Sequence, residues 1–217
     1  MLTISNTEVF GWNAAVRGMR NPMNSWDRID SDWEFVEDPS IINPNDEIKF
    51  VLGPNDADLM KRLCKGGPVH AKFRRMIAVY VDVTAPLYWW KEFDTYKVGT
   101  VANSCSTMHK IHSKKFTLDD FSVEHLDMFN INLFNMIIDN LNAAREHFLE
   151  SKDKNEWWQM IQMLPTSYNQ KRTLALNYEV LVGIYRDRKN HKLDEWHTFC
   201  EWIEGLPNSW IITGKEN

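Results

Sequence analysis

The fold is decided by the stretch Ala85-Pro-Leu-Tyr-Trp-Trp-Lys-Glu-Phe-Asp-Thr-Tyr-Lys-Val-Gly-Thr-Val-Ala-Asn-Ser-Cys-Ser-Thr-Met-His109. It follows an apolar, strand-like run at residues 75–83 and opens with Pro86, a residue favoured in the first turn of a helix. After Lys97 the apolar pattern gives way to a loop rich in hydroxyl, amide and imidazole groups. A strand, a helix and such a loop can form one wall of a ligand site. The alternative is a buried helix followed by a surface turn.

The composition indicates an ordinary globular protein. The chain has 217 residues, of which 43% are hydrophobic and 25% charged, enough for one sizeable domain. Its net charge of −5, from 25 basic and 30 acidic side chains, argues against general nucleic-acid binding, which usually requires a basic face. A small anionic ligand is compatible with this charge, because one or two local cations can hold a phosphate.

Cysteine and histidine spacing predicts neither disulfides nor a metal site. The three cysteines, Cys64, Cys105 and Cys200, show no CxxC pairing, and among the scattered histidines only His109 and His112 are close. The N-terminus lacks a basic segment followed by an apolar core, and no apolar run reaches the about 18–20 residues that span a bilayer. We therefore expect a cytoplasmic protein with no membrane contact.

Hydrophobic periodicity predicts a mainly helical chain around the central strand. Residues 21–46 are rich in Asn, Asp, Ser and Pro and predict a long loop, either a lid or an insertion. There is no internal repeat and no linker, so we predict one domain over residues 1–217. Outside the opening stretch, the predicted elements are a strand at residues 1–5 and helices at 10–19, 55–67, 125–150, 157–163, 169–188 and 193–206.

Two segments together resemble the flavin-dependent thymidylate synthase family. Its signature is an Arg-His-Arg triplet followed after seven or eight residues by Ser, close to an Ala-Pro helix start and an Asn-Glu-x-Ser-x-Arg loop. Here Ala85-Pro86 begins the helix, Thr95-Tyr96-Lys97 takes the place of the triplet, and Asn103-Ser-Cys-Ser106 takes the place of the loop. Upstream, Gly66-Gly-Pro-Val-His70 resembles the family's Gly-His stretch.

The second segment is C-terminal. The family shows Leu-Pro, then a helix carrying an Asn, an Arg eleven residues later, and a helix containing Glu. This chain has Leu164-Pro165, then Asn177, then Arg188, followed by His191 and Glu195. The two segments occur in the family's order and cover roughly residues 56–200.

The departures from the family concern its cations. The triplet keeps Lys97 alone, and a lysine lacks the bidentate fork that arginine offers a phosphate. Ser104 replaces the loop Glu, Met108 stands where a substrate-binding Arg is expected, and Ile161 or Gln162 where another is. Arg188 is the one family arginine kept. A phosphate would need Arg188, Lys97 and backbone amides, or other cations, for which the candidates are Lys72, Arg74, Arg75 and Lys110.

The resemblance implies both a fold and an activity. The fold is α/β (α+β by stricter definition), a mostly antiparallel sheet flanked by long helices, assembled as a homotetramer with sites between subunits. The activity is methylation of dUMP to dTMP with reduced FAD, with methylenetetrahydrofolate and NADPH as co-substrates. The implied cofactor-binding residues are His70, Lys97, Asn103, Asn177 and His191. The implied substrate-binding residues are Ser104, Ser106 and Arg188, of which Ser106 and Arg188 are also catalytic.

Each of these residues has a structural alternative. Asn177 can be a surface amide and Arg188 a cation at a helix C-terminus. Cys105 can be a nucleophile, although a buried, inert thiol is commoner, and the tryptophans can be core or subunit-contact residues. The lost arginines leave two further readings: a non-catalytic relative that binds a nucleotide or a protein partner, and a flavin enzyme with another acceptor.

Overall fold

The computed structural model describes residues 2–35 and 48–215. Their strands and helices follow one another in this order: β1 (Thr3–Phe10), α1 (Trp12–Arg20), β2 (Asp32–Phe35), β3 (Ile48–Val51), α2 (Pro54–Lys65), β4 (Ala78–Pro86), α3 (Leu87–Phe93), β5 (Val101–Ser104), α4 (Thr107–Lys110), α5 (Met128–Ser151), α6 (Lys154–Met163), β6 (Asn169–Asn177), α7 (Tyr178–Arg188), α8 (Asp194–Glu204) and α9 (Trp210–Thr213).

A four-stranded antiparallel sheet in the order β1-β4-β6-β5 carries the architecture. In β4 the side chains alternate, and Val79, Val81, Val83 and Ala85 are all buried on the face that packs against helices. Such alternation is expected of an antiparallel sheet with one packed and one open face. The predicted fold class, a mostly antiparallel sheet with flanking helices, is confirmed.

The helix predicted over residues 169–188 is wrong in its first half. Residues 169–177 form β6, which pairs with β4 along its whole length and with β5 on its other side. Helix α7 begins only at Tyr178, where the Asn177 side chain accepts a hydrogen bond from the Val180 N–H at 3.0 Å. No Gly or Pro separates the two elements, and pairing on both edges decides the conformation over local propensity.

The N-terminal part of the predicted loop at 21–46 is more regular than expected. It contains two short 3-10 helices, Asn21–Met23 and Trp26–Arg28, and then β2, which pairs antiparallel with β3. Residues 36–46 of that predicted loop lie outside the described residues.

A buried carboxylate fastens this segment to α2. Asp56 is fully buried and accepts hydrogen bonds from Arg20 Nε at 2.7 Å and from Ser31 Oγ at 2.7 Å. The backbone N–H groups of Asp30 and Ser31 complete its shell at 3.1 and 3.0 Å. Buried charge is tolerated when it is paired and fully hydrogen-bonded, as it is here.

The main core lies between the sheet and helices α1, α2, α3, α7, α8 and α9. Its centre is aromatic, with the rings of Trp89 and Trp196 4.7 Å apart and both side chains fully buried. These two tryptophans and Trp90 are therefore core residues. A second, smaller core joins α5 and α6 to the segment before α5 through Phe116, Phe121, Leu141 and Met160.

Helix α5 buries much less than its sequence predicts. Its buried residues are Ile138, Leu141, Asn142 and Ala144, all at or after Ile138. Of the residues predicted to form its apolar side, Leu126, Phe129 and Leu133 are exposed, as are Met128 and Met136. The first half of α5 thus presents an apolar surface that this chain leaves uncovered within its described residues.

Candidate functional site

Arg188 and His191 meet at one carboxylate. Arg188 ends α7 and donates from Nη1 to Glu92 Oε2 of α3 at 2.8 Å, and from Nε to the Tyr96 hydroxyl at 2.9 Å. Its guanidinium lies over the Trp196 ring, 4.7 Å from the centroid. These residues, namely Glu92, Tyr96, Arg188, His191 and Trp196, are called the Glu92 cluster below.

The same oxygen of Glu92 serves two further donors. Trp196 Nε1 donates to it at 2.9 Å, and His191 Nε2 lies 3.3 Å away. Because His191 Nδ1 accepts from the Leu193 N–H at 3.2 Å, Nε2 is the nitrogen that carries the proton of the neutral ring. The two predicted site residues are brought together, but around a carboxylate that the sequence reasoning did not single out.

Asn177 faces the loop that replaces the family triplet. Gly99 has φ +75°, and a Cβ atom there would come within 3.3 Å of Asn177 Nδ2. The missing side chain lets the loop backbone approach this amide closely, and the amide oxygen already caps α7. Lys97 is exposed at the start of the same loop and has no ion pair within the part of the chain that is described.

Asn103 and Ser104 lie on β5, the edge strand, where they are exposed and face Thr173 and Arg172 of β6 in the register. Arg172 is a cation that sequence reasoning missed because β6 was assigned to a helix. It binds Asp94 at 2.7 Å from Nη1 and stacks on Trp90, 4.2 Å from the ring centroid.

Ser106 lines a cavity of about 470 Å³ between the β5–α4 connection, the start of β6 and the segment that precedes α5. We call it the Ser106 cavity. The Ser106 side chain accepts from the His109 N–H at 3.0 Å, so its hydroxyl hydrogen stays available to a ligand. Lys114 and Lys171 at the wall are paired with Asp120 and Asp82, whereas Lys110 has no ion pair among residues 2–35 and 48–215.

Cys105 is exposed, so the expectation of a buried thiol is wrong. Its backbone N–H donates to the Lys171 carbonyl at 2.9 Å, and its own carbonyl accepts from Gln170 Nε2 at 2.8 Å. These backbone bonds turn the side chain toward the cavity and solvent.

His70 occupies a different part of the fold. It is exposed in the turn after α2, with its ring against Gly66. Among the alternative cations, Lys72, Arg74 and Arg75 lie on a 3-10 helix, Lys72–Met76, and Arg74 is buried there. The structure therefore groups the predicted residues into three places: the Glu92 cluster, the β5–Ser106 region with the loop at Lys97, and the turn at His70.

Glu92 and Trp196 carried a weak signal in the sequence. Glu92 stands four residues before Tyr96, the spacing of neighbours on one helix face, and Trp196 follows His191 closely in the chain. Nothing in the sequence joins α3 to α8, so their convergence on Arg188 is a tertiary fact.

Comparisons with known proteins find the fold rather than a sequence family. No protein-family model matches the chain, and no curated protein matches it. Among solved structures, thymidylate synthase X of Helicobacter pylori with FAD and dUMP superposes with a TM-score of 0.66 at 13% identity, covering 98% of this chain and 97% of that one. The chain has the thymidylate synthase X fold. A second structure of the H. pylori enzyme with FAD and dUMP gives a TM-score of 0.65 at 13% identity, covering 97% and 96%.

Within residues 2–35 and 48–215, no group of three or more His, Cys, Asp or Glu side chains could hold a metal ion. No helix there is long and apolar enough to cross a membrane.

Proposed function

We propose that this chain is a divergent flavin-dependent thymidylate synthase-like protein. It binds FAD and a pyrimidine deoxynucleotide, and it methylates dUMP to dTMP with methylenetetrahydrofolate and NADPH as co-substrates. The observation that carries the proposal is the agreement of the fold over nearly the full length of both chains with an enzyme crystallised with FAD and dUMP.

The residues at the loop of Lys97 fit a flavin nucleotide. Asn177 Nδ2 donates no hydrogen bond within the described residues and can meet a carbonyl or phosphate oxygen, while the exposed Asn103 on β5 and the exposed Lys97 offer a further amide and a cation. Reduced FAD supplies the hydride for the reaction. Lys97, Asn103 and Asn177 bind and orient the flavin. His191 acts on it through Glu92. His70, in the turn after α2, is a further cofactor contact.

The pyrimidine nucleotide is assigned to Ser104, Ser106 and Arg188. Ser106 donates its hydroxyl into the Ser106 cavity, where Lys110, which has no ion pair in the described residues, can meet a phosphate beside Asp119 and Asp120, the two carboxylates of the lining. Arg188 Nη2 has no hydrogen-bond partner among those residues, so it keeps two N–H donors for the carbonyl edge of the uracil. Donors held in place in this way stabilise negative charge that develops there.

The exposed half of α5 supports a homotetramer. Contiguous apolar surface on a helix is typical of subunit contacts. Phe129, Leu133 and Met136 fall on one face of α5 and are each at least half exposed, at 77%, 50% and 62%. A site shared between subunits would also bring cations of a neighbouring copy to a phosphate.

Flavin binding tests the proposal directly. The purified protein is scanned from about 300 to 550 nm before and after addition of FAD and desalting, and then titrated with dUMP, since the flavin spectrum reports its surroundings. We expect flavin bands that persist, a dUMP-induced shift, and weaker retention in Asn103→Ala. Asn155→Ala, another exposed asparagine at the start of α6, is the matched control. A colourless protein at saturating FAD contradicts the proposal.

A second candidate is a non-catalytic relative that binds a nucleotide or a protein partner through the same cleft. It is favoured by the pairing of Arg172 with Asp94 and of Arg188 with Glu92, which leaves few free donors for a phosphate. It predicts dUMP binding by calorimetry with no release of tritium from 5-tritiated dUMP. Tritium release that depends on FAD and methylenetetrahydrofolate excludes it.

A further inference from the structure

We propose that a second cavity, between α2, the 3-10 helix Lys72–Met76 and α9, binds a small organic anion: a phosphate or carboxylate group on a flat apolar body. We call it the Arg74 cavity. Its volume is about 610 Å³, within the range of about 300–1,000 Å³ that ligand pockets occupy. None of the residues assigned above to FAD or the nucleotide lines it, so the proposal stands independently of the proposed function.

The charges that line the Arg74 cavity have one sign. Among the described residues, its wall contains the cations Lys61, Lys65, Arg74 and Lys215 and no acidic side chain. Lys215 is paired with Glu204 at 2.6 Å, whereas Lys61 and Lys65 have no ion pair in residues 2–35 and 48–215. A concave wall that carries four cations, two of them without an ion pair, selects an anion even in a chain of net charge −5.

Arg74 is the buried cation of the site. It is 9% exposed, and its Nε is buried with no hydrogen-bond partner among the described residues. The carboxylate of Glu179 lies 3.7 Å from Nη1, too far for a hydrogen bond, and Glu179 Oε2 is itself buried without a hydrogen-bond partner. Leaving a buried charged donor unbonded is costly. An anion in the cavity would give Arg74 a hydrogen-bond acceptor, because Glu179 lies too far away to accept one.

The apolar residues of the lining account for the apolar body. Trp210 lines the cavity together with Leu52 and Ile212, and Lys61 Nζ lies 5.7 Å from the centroid of the indole. A flat ring can stack on Trp210 while its anionic group reaches Arg74 and Lys65. Phosphate and carboxylate share this chemistry, since both accept two parallel hydrogen bonds from a guanidinium.

Calorimetric titration of the full chain with phenyl phosphate, benzoate and neutral benzyl alcohol tests the ligand class. We expect binding of one or both anions and none of benzyl alcohol, and the ratio of the two affinities identifies the preferred head group. Lys61→Gln and Lys65→Gln are each expected to weaken anion binding about two- to fivefold, the range for a partly exposed charge. Arg74→Gln removes a charged donor and is expected to weaken it more than about tenfold.

Arg62→Gln is the matched control. Arg62 lies on the same helix between the two lysines, is exposed, and does not line the cavity. Its guanidinium pairs with Asp58, and the distance between Nε and Oδ2 is 3.0 Å. If Arg74→Gln does not fold, the two lysine variants still measure whether the cavity binds the anion. An equal loss of affinity in Arg62→Gln would mean attraction by general charge alone and would overturn the proposal, as would binding of benzyl alcohol with the same affinity as phenyl phosphate.

Cys64 provides an independent readout. Its thiol lines the Arg74 cavity, and burial raises its pKa, so alkylation by iodoacetamide is followed at a pH of about 8.5 by peptide mass spectrometry. We expect phenyl phosphate to slow alkylation of Cys64, whereas benzyl alcohol at the same concentration should leave it unchanged. If the two compounds act alike, or if neither slows alkylation at an anion concentration that saturates the calorimetric signal, the anion does not occupy this cavity.

Discussion

The carboxylate of Glu92 contacts more hydrogen-bond donors than any other side chain of the candidate site. One of its oxygens meets Arg188, Trp196 and His191, and so links α3 to α7 and α8. Any effect of an Arg188 variant on ligand binding therefore mixes two causes, the loss of a ligand contact and the loss of this link. A variant of Glu92 separates them.

Glu92→Gln keeps the shape of the side chain and removes its charge. We expect the free energy of unfolding to fall by about 1–3 kcal/mol, because hydrogen bonds to a charged group contribute about that much and Arg188 loses its counter-ion. Urea denaturation measures the change. Glu201→Gln, an exposed glutamate on α8, is the control and should lie within about 0.5 kcal/mol of the unsubstituted chain. Equal stability of the two variants would mean that the Glu92 cluster is not a structural link.

Asp82 carries the clearest pH dependence in the described chain. Hydrogen bonds from Thr173 Oγ1 at 2.6 Å, Lys171 Nζ at 2.9 Å and Asn6 Nδ2 at 2.9 Å hold the pKa of this carboxyl far below its ordinary value. A depressed pKa in the folded state contributes stability above the unfolded pKa of about 4, and that contribution is lost as pH falls through the folded value.

We expect Asp82→Asn to unfold at a lower urea concentration than the unsubstituted chain at pH 7. The difference should narrow steadily at pH values below about 4, where the unfolded carboxyl takes up its proton. Asp139→Asn, an exposed aspartate on α5, is the control and should show no such trend. A difference between the two chains that stays constant from neutral to acid pH would show that the three donors do not stabilise the ionised form.

At the scale of elements, Asp56 joins the segment between α1 and β2 to α2. Its four acceptor contacts leave no free capacity for water at a side chain that is fully buried. Asp56→Ala would leave Arg20 as a buried, unpaired charge. We expect this variant to lose about 3–5 kcal/mol of stability, the range for breaking a buried ion pair from one side.

Limited proteolysis localises that effect. In Asp56→Ala we expect cleavage in residues 21–35 before global unfolding, since local opening follows the loss of an anchor. Asp58→Ala, which breaks an exposed pair with Arg62 on the same helix, should cost less than about 1 kcal/mol and leave the cleavage pattern unchanged. Simultaneous cleavage throughout the chain in Asp56→Ala would show that the segment is not held separately.

How far elements could be predicted from sequence depends on where their stabilisation lies. Helix α2 was predicted to within a few residues because the glycines after it are a local stop signal, although Pro54 begins it and no polar side chain caps it. Strand β6 was not predicted, because its conformation depends on hydrogen bonds to β4 and β5, which are distant in sequence. Because of that error, Arg172 was not identified as a candidate, and Asn177 was predicted in the middle of a helix although it ends a strand.

At the scale of the whole molecule, α5 is the surface to test. If Phe129, Leu133 and Met136 lie between subunits of a homotetramer, Leu133→Glu places a charge in an apolar contact and should dissociate it. Light scattering coupled to size exclusion measures the mass. We expect a tetramer for the unsubstituted chain and a smaller species for the variant, with the far-ultraviolet dichroism unchanged.

Asn135→Glu, at an exposed position of α5 that is rotated by about 100° or more from Phe129, Leu133 and Met136, is the control for added charge on the helix. It tests a position outside the apolar face. A monomeric unsubstituted chain, or a Leu133→Glu variant that keeps the tetrameric mass, would contradict the assignment of this surface to a subunit contact.

The sequence alone determined the features that depend on local chemistry and on order along the chain. These were the class of the fold, the position of the central strand, the helix that begins after Ala85-Pro86, and the landmarks from His70 to Arg188. The tertiary structure decided which side chains have an ion-pair or hydrogen-bond partner and which are exposed. It joined Arg188 to Glu92 and Arg172 to Asp94, exposed Cys105, and left Arg74 buried without a hydrogen-bond partner for its Nε in the described chain. The physical reason is that a charged side chain acts through its partners, and its partners come from elements that only the folded sheet and helices bring together.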